Sequence, residues 1–189
     1  ILNTEIETHA EHAKIINEQF TIENMRYVVD VMSACIIKNE VPFCELDAHA
    51  GDGDFGMSVA KGFKQLKCQW HKLVQTQHMD EFLLNCSMII MEHCGGASGP
   101  IWGSAFRAAS KSIKGKNTLS TTDFAEMLLS TVQGIQTTGE RSFGRGAVVG
   151  DKTLIDALVP CAQSWSIHHN KTFKENFVLG AIAAVQGAE

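Results

Sequence analysis

The chain has 189 residues, 44% of them hydrophobic and 20% charged, enough apolar material for the core of one domain without disulfide staples. Its 16 lysines and arginines against 21 aspartates and glutamates leave a formal charge of −5. No basic run interrupts that balance, which argues against nucleic acid or an anionic membrane surface as a partner. No stretch approaches the ~18 consecutive apolar residues of a membrane span, and the start at Ile1 shows neither the basic nor the apolar region of a secretory signal. Six cysteines without a CxxC pair read as reduced thiols of a cytoplasmic protein, not as zinc ligands.

In chain order, Glu5 to Phe20 is a weak helical candidate. From Thr21 to Asn39, Met25, Val28, Val29, Met32, Cys35 and Ile36 recur at three-and-four spacing, predicting a helix that stops before Pro42. A shorter helix after Gly53 carries Val59, Phe63 and Leu66, and Asp80 caps another with Phe82, Leu83, Cys86, Ile89 and Ile90. Pro100 suits the first turn of a helix running through Ile113. Asp123 with Glu126 opens a helix for Phe124, Met127, Leu128 and Ile135. Asp151 opens one with Leu154, Leu158, Cys161 and Trp165, which Pro160 should end or kink. Thr172 and Glu175 form a capping box for the last helix, with Phe177, Ala181, Ala184 and Val185. About eight helices and no convincing strand predict an all-α fold.

Three glycine-rich interruptions, Leu46 to Gly56, Gly95 to Gly103 and Gly139 to Thr153, separate these helices. In the first, Asp47, Asp52 and Asp54 sit among glycines 51, 53 and 56, which let the backbone turn and the carboxylates converge. Converged carboxylates repel unless a cation neutralises them, and oxygen ligands suit Mg²⁺ or Ca²⁺, Mg²⁺ better where phosphates complete its shell. The alternative is a solvated turn in which Asp54 merely caps the next helix. An EF-hand is excluded because Phe63 stands where the bidentate glutamate belongs. His49 reads either as a further ligand or, the favoured reading, as an outward-pointing loop residue, and His9, His12, His168 and His169 have no acidic or cysteine neighbour at ligand spacing.

Cys94 to Pro100 is either a tight turn or, with Ser98 and the amides at a helix start, a phosphate cradle. Gly144 to Thr153 is not a Walker A loop, because Asp151 separates Gly150 from Lys152 and no strand precedes it. Asp151 starts a helix there, while Lys152 and Arg145 remain a source of positive charge for a polyphosphate.

Taken together, LDAHAGDGDFGMSVAKGF, GGASGPIWGSAF and RGAVVGDKTLIDALVP resemble, in order and over roughly residues 25 to 160, the ADP-binding (DhaL) subunit or domain of dihydroxyacetone kinases. The resemblance implies an antiparallel barrel of amphipathic helices with a nucleotide site at one end, here as a single domain over residues 1–189. It implies that Asp47, Asp52 and Asp54 hold two Mg²⁺ ions on the phosphates of ADP or ATP. Phe55, Gly56, Met57 and Ser58, with Gly95, Gly96, Ala97 and Ser98, would line the phosphate and ribose site, with Lys152 nearby. Gly146 (or Gly144) and Leu154 would flank the adenine.

The function implied is phosphoryl transfer to dihydroxyacetone held on a separate K subunit through a histidine hemiaminal. The donor would be either a phosphotransferase-system protein acting on bound ADP, or ATP itself. Alternative readings are a kinase component for another small ketose or sugar and a non-catalytic nucleotide-sensing module; a homodimer is a further expectation. Two departures stand out. Phe55 replaces a family histidine and Met57-Ser58 replace an x-Asn pair. The family's glycine-arginine lid and Asp-Pro-Gly-Ala turn lie beyond Glu189, so this form is expected to bind nucleotide more weakly.

Overall fold

The computed structural model describes residues 2–3 and 10–189, the side chains of Ser142 and Phe143 excepted. Among these residues the regular structure is helical: a 3₁₀ turn at Ala10–Ala13, then α1 (Ile22–Lys38), α2 (Glu40–Asp47), α3 (Phe55–Cys68), α4 (Trp70–Leu73), α5 (Met79–His93), α6 (Ser98–Ser112), α7 (Thr121–Phe143), α8 (Leu154–Ile167) and α9 (Phe173–Ala188). The extended pairings described are isolated bridges, Ile16 with Gln19 and Phe20 with Leu119. No described helix is long and apolar enough to cross a membrane.

Most predicted helices are present, with instructive differences. The candidate over Glu5 to Phe20 falls partly on Glu5–His9, outside the described residues. Beyond the 3₁₀ turn it is not helical, because Asn17 and Glu18 take positive φ and Phe20 exchanges backbone hydrogen bonds with Leu119 at 3.0 and 2.9 Å. The helix expected to stop before Pro42 does end at Lys38, but α2 follows at once with Pro42 as its third residue. A first-turn amide has no intrahelical acceptor, so proline removes nothing there. Pro160 lies inside α8 without ending it.

Start signals also sit slightly apart from where the sequence puts them. The α8 cap is Thr153, whose hydroxyl accepts from Ile155, with Asp156 completing the box; α7 is capped by Ser120 with Asp123. Asp80 lies inside α5, where its carboxylate accepts the amides of Glu81 (2.9 Å) and Gly115 (3.1 Å). The box at Thr172 and Glu175 is as expected.

α3 packs on α1, α2 and α5; α6 lies between α5 and α7, and α8 between α7 and α9. That succession of neighbours is compatible with the expected up-and-down helical barrel. The core runs through Val59, Ala60, Phe63 and Leu66 of α3 and Phe82, Cys86 and Ile90 of α5, all fully buried. Each such large side chain contributes roughly 1.5–3 kcal/mol by leaving water. A second concentration joins Phe20, Phe124, Trp165, Phe173 and Phe177, including an edge-on pair of Phe124 and Phe173 at 5.9 Å. All six cysteines are free, and burial pushes the Cys94 thiol up to about 11.

Candidate functional site

Asp47 is the last residue of α2, Asp52 lies in the loop, and Asp54 immediately precedes α3. One carboxylate oxygen from each lies within 4.8 Å of the others. The backbone makes this possible. After α2 the amides of Ala50 and Gly51 both turn back to the Asp47 carbonyl, at 3.0 and 2.6 Å. A Cβ on Gly51 would stand 2.5 Å from Asp47 Oδ1, and Gly53 takes φ +79°.

The crowding has an electrostatic signature. The charge of Asp52 holds the Asp54 carboxyl above its ordinary range, helped by partial desolvation and by Asp47, while the Ser58 hydroxyl pulls the other way. Like charges brought together in this way are relieved by a cation, and a set of hard oxygen donors fits a divalent one. His49 is exposed, as expected.

The second loop meets the first. The Gly95 amide donates to the Ser58 carbonyl at 3.0 Å, and a Cβ on Gly95 would lie 2.9 Å from Ser58 Oγ. The first turns of α3 and α6 are thereby held together, with Gly96 at φ +51° opening the turn before Ala97 and Ser98. Helix starts present amides and a positive dipole end to anions.

Of the Phe55 to Ser58 amides expected to cradle phosphate, three have partners within the protein. Phe55 donates to Asp47 Oδ2 (3.2 Å), Met57 to Cys44 Sγ (3.2 Å) and Ser58 to the Asp54 carbonyl (2.9 Å). Gly56 is buried against α2, where a Cβ would stand 2.0 Å from the Glu40 carbonyl oxygen. The side chains of Phe55 and Met57 are 37% and 58% exposed, so both remain open to a ligand or partner.

The third loop spans Gly144 to Thr153, since α7 carries helix past Gly139 to a left-handed Gly144. It borders a cavity of about 310 Å³ with Gly146 and Leu154 in its wall, together with Ile101 of α6 and Ile135 of α7, neither of which the sequence marked as a site residue. Lys152 is not in that wall; it is exposed, with φ +55°. Arg145 lines the cavity but its guanidinium forks onto Asp151 at 2.9 and 3.3 Å. Asp156 fixes the loop from below by accepting the amides of Gly150 (2.5 Å) and Thr153 (2.8 Å).

Because Ile101 stands one turn beyond Ser98, the apolar cavity continues from the α6 start that Gly95 ties to α3. A larger cavity, about 640 Å³, opens between α1 and α9 beside Phe20 and Phe177, with none of the three carboxylates in its wall.

A DAK2 domain profile matches residues 49–189. The chain belongs to the DAK2 domain family. Among relatives of the DAK2 domain, the ADP-binding subunit DhaL of PEP-dependent dihydroxyacetone kinase 2 from Listeria innocua is 32% identical over 135 residues, covering 71% of this chain and 60% of that protein. The DhaL subunit of the PTS-dependent dihydroxyacetone kinase of Lactococcus lactis is 33% identical over 121 residues, 64% and 57% of the two chains. The triokinase/FMN cyclase of Mus musculus is 28% identical over 145 residues, 77% of this chain and 24% of that one. The crystal structure of the dihydroxyacetone kinase of C. freundii shares the fold of this DAK2 domain, with a TM-score of 0.70 at 22% identity, over 100% of this chain and 32% of that one. The DAK2 chain thus spans about 60% of the first relative's length.

Proposed function

We propose that this chain is the nucleotide-binding component of a dihydroxyacetone-type kinase, holding ADP or ATP through two Mg²⁺ ions on Asp47, Asp52 and Asp54. The observation that carries the reading is the convergence of three carboxylates within 4.8 Å beside two helix starts. The fit to a divalent ion rests on that all-oxygen donor set and on the mutual repulsion that raises Asp54. When bound, the ions would offset charge spreading over the transferring phosphoryl group.

The chain's own residues then have positioning tasks. Ser58, Gly95, Gly96, Ala97 and Ser98 present hydroxyls and backbone to the phosphates and ribose, with Phe55, Gly56 and Met57 forming the adjoining first turn. Ile101, Ile135, Gly146 and Leu154 form the apolar slot for the base. Lys152 stands outside the slot, where it meets only the exposed end of a bound nucleotide. Positioning and electrostatics suffice for phosphoryl transfer, so no covalent nucleophile is required of this chain. The acceptor, dihydroxyacetone, is carried by a separate K subunit or domain, and the donor is either ATP or a phosphotransferase-system protein that recharges bound ADP; the PEP-dependent and PTS-dependent names of two relatives support the second route.

Calorimetric titration of ADP in the presence of Mg²⁺ tests the reading. Wild type should bind, and Asp52→Asn and Asp54→Asn should each lose binding at least tenfold with unchanged helical circular dichroism. Undiminished binding by either variant overturns the ligand assignment.

A further inference from the structure

We propose that Cys44 is a positioning residue that frees Asp54 for the acidic cluster, an inference that rests on the metal reading above. Asp54 occupies the cap position of α3, where an aspartate ordinarily accepts the amide of the second or third helical residue. It makes no such bond here. The third residue of α3 is Met57, and its amide goes to Cys44 Sγ at 3.2 Å.

Cys44 lies three residues before Asp47 on α2, so both side chains share the face that meets α3. Asp47 takes the Phe55 amide at 3.2 Å while Cys44 takes the Met57 amide. The start of α3 is thus capped from the neighbouring helix, and the Asp54 carboxylate, which takes no α3 amide and only the Ser58 hydroxyl, stays beside Asp52 and Asp47. The close approach that lets a thiol reach this amide depends on Gly56, whose missing Cβ would lie 2.9 Å from the same sulfur.

Without the sulfur acceptor, the Met57 amide and the Asp54 carboxylate become each other's nearest solution, and Asp54 leaves the cluster to cap its helix. The stability of α3 is then kept while the cation site loses a ligand.

The test is titration of Mn²⁺ alone, without nucleotide, into the full chain, followed by calorimetry or water-proton relaxation, with thermal melting in parallel. Cys44→Ala should weaken Mn²⁺ binding about fivefold, the size of one lost cap interaction, with little change in melting temperature. Cys44→Ser, which keeps an acceptor and nearly the same volume, should remain within about twofold of wild type and covers the case in which alanine disturbs folding. A merely structural role would lower the melting temperature of Cys44→Ala and leave Mn²⁺ affinity unchanged. Equal affinity in wild type and Cys44→Ala, or a folded serine variant as weak as or weaker than the alanine expectation, overturns the inference alone. Failure of wild type to bind Mn²⁺ removes the metal reading and this inference with it.

Discussion

Two glycines of the acidic loop look alike in sequence and do different work. A Cβ on Gly56 would collide with the Glu40 carbonyl at 2.0 Å and the Cys44 amide at 2.8 Å, both backbone atoms that cannot swing aside. Gly56→Ala should therefore push α2 from α3, reducing stability by roughly 1–3 kcal/mol in urea denaturation and weakening Mg²⁺-ADP binding. A Cβ on Gly51 meets the Asp47 carboxylate oxygen at 2.5 Å, the movable end of a side chain. Gly51→Ala should spare stability and weaken binding only, so a stability loss in both variants would contradict this division. The carboxylate trio itself was legible because its glycine spacing admits few other purposes. What the sequence did not disclose is that the Cα of Gly56 packs against a helix, because the partner helix α2 was hidden behind Pro42.

That hidden helix shows what periodicity can and cannot report. α1, α3, α5, α6 and α9 carry long apolar faces, so their existence follows from residue spacing. α2 has only eight residues, none of them buried, and no face for a pattern to mark. The α8 start illustrates a second limit: Asp151 looks like the cap, yet it accepts from Arg145 and Val148 while Thr153 and Asp156 cap the helix.

The capping carboxylates give a pH prediction. The Thr153 amide, with that of Gly150, holds Asp156 below its ordinary range, and the Thr172 amide and hydroxyl do the same for Glu175. A carboxyl whose folded pKa lies below its unfolded value, ~3.9 for Asp and ~4.3 for Glu, stabilises the fold above those values. That contribution is lost as pH falls through the folded pKa. Thermal melts from pH 6 down to pH 3 should show stability falling below about pH 4.3. In Asp156→Asn the fall should be shallower, and an identical slope would show that Asp156 does not titrate with folding.

At the scale of the molecule, the site is a matter of parity. Short connections between neighbouring helices in a bundle join antiparallel elements, so alternate connections lie at the same end. The three glycine-rich loops join α2 to α3, α5 to α6 and α7 to α8; with the four-residue α4 counted as part of the connection from α3 to α5, one connection intervenes between each successive pair. The Ser58–Gly95 bond and the cavity shared by Ile101, Gly146 and Leu154 are the expected result at one end. At the other end, Thr121 Oγ1 donates to the His169 carbonyl at 2.7 Å, and Phe20 and Leu119 pair over the cluster of Phe124, Trp165 and Phe173. Along α7, Phe124 and Gly139 are separated by about 22 Å at 1.5 Å per residue, so this aromatic plug stands far from the loops. Phe173 is fully buried in it. Phe173→Ala should reduce global stability by about 3–5 kcal/mol, measured by urea denaturation, because the plug binds the segment before α1 to α7, α8 and α9. Mg²⁺-ADP affinity measured well below the melting transition should stay within about twofold of wild type, since the loops are positioned by the opposite ends of the same helices. A tenfold loss of affinity with stability intact would mean that the two ends are coupled, and that the bundle transmits more than it holds.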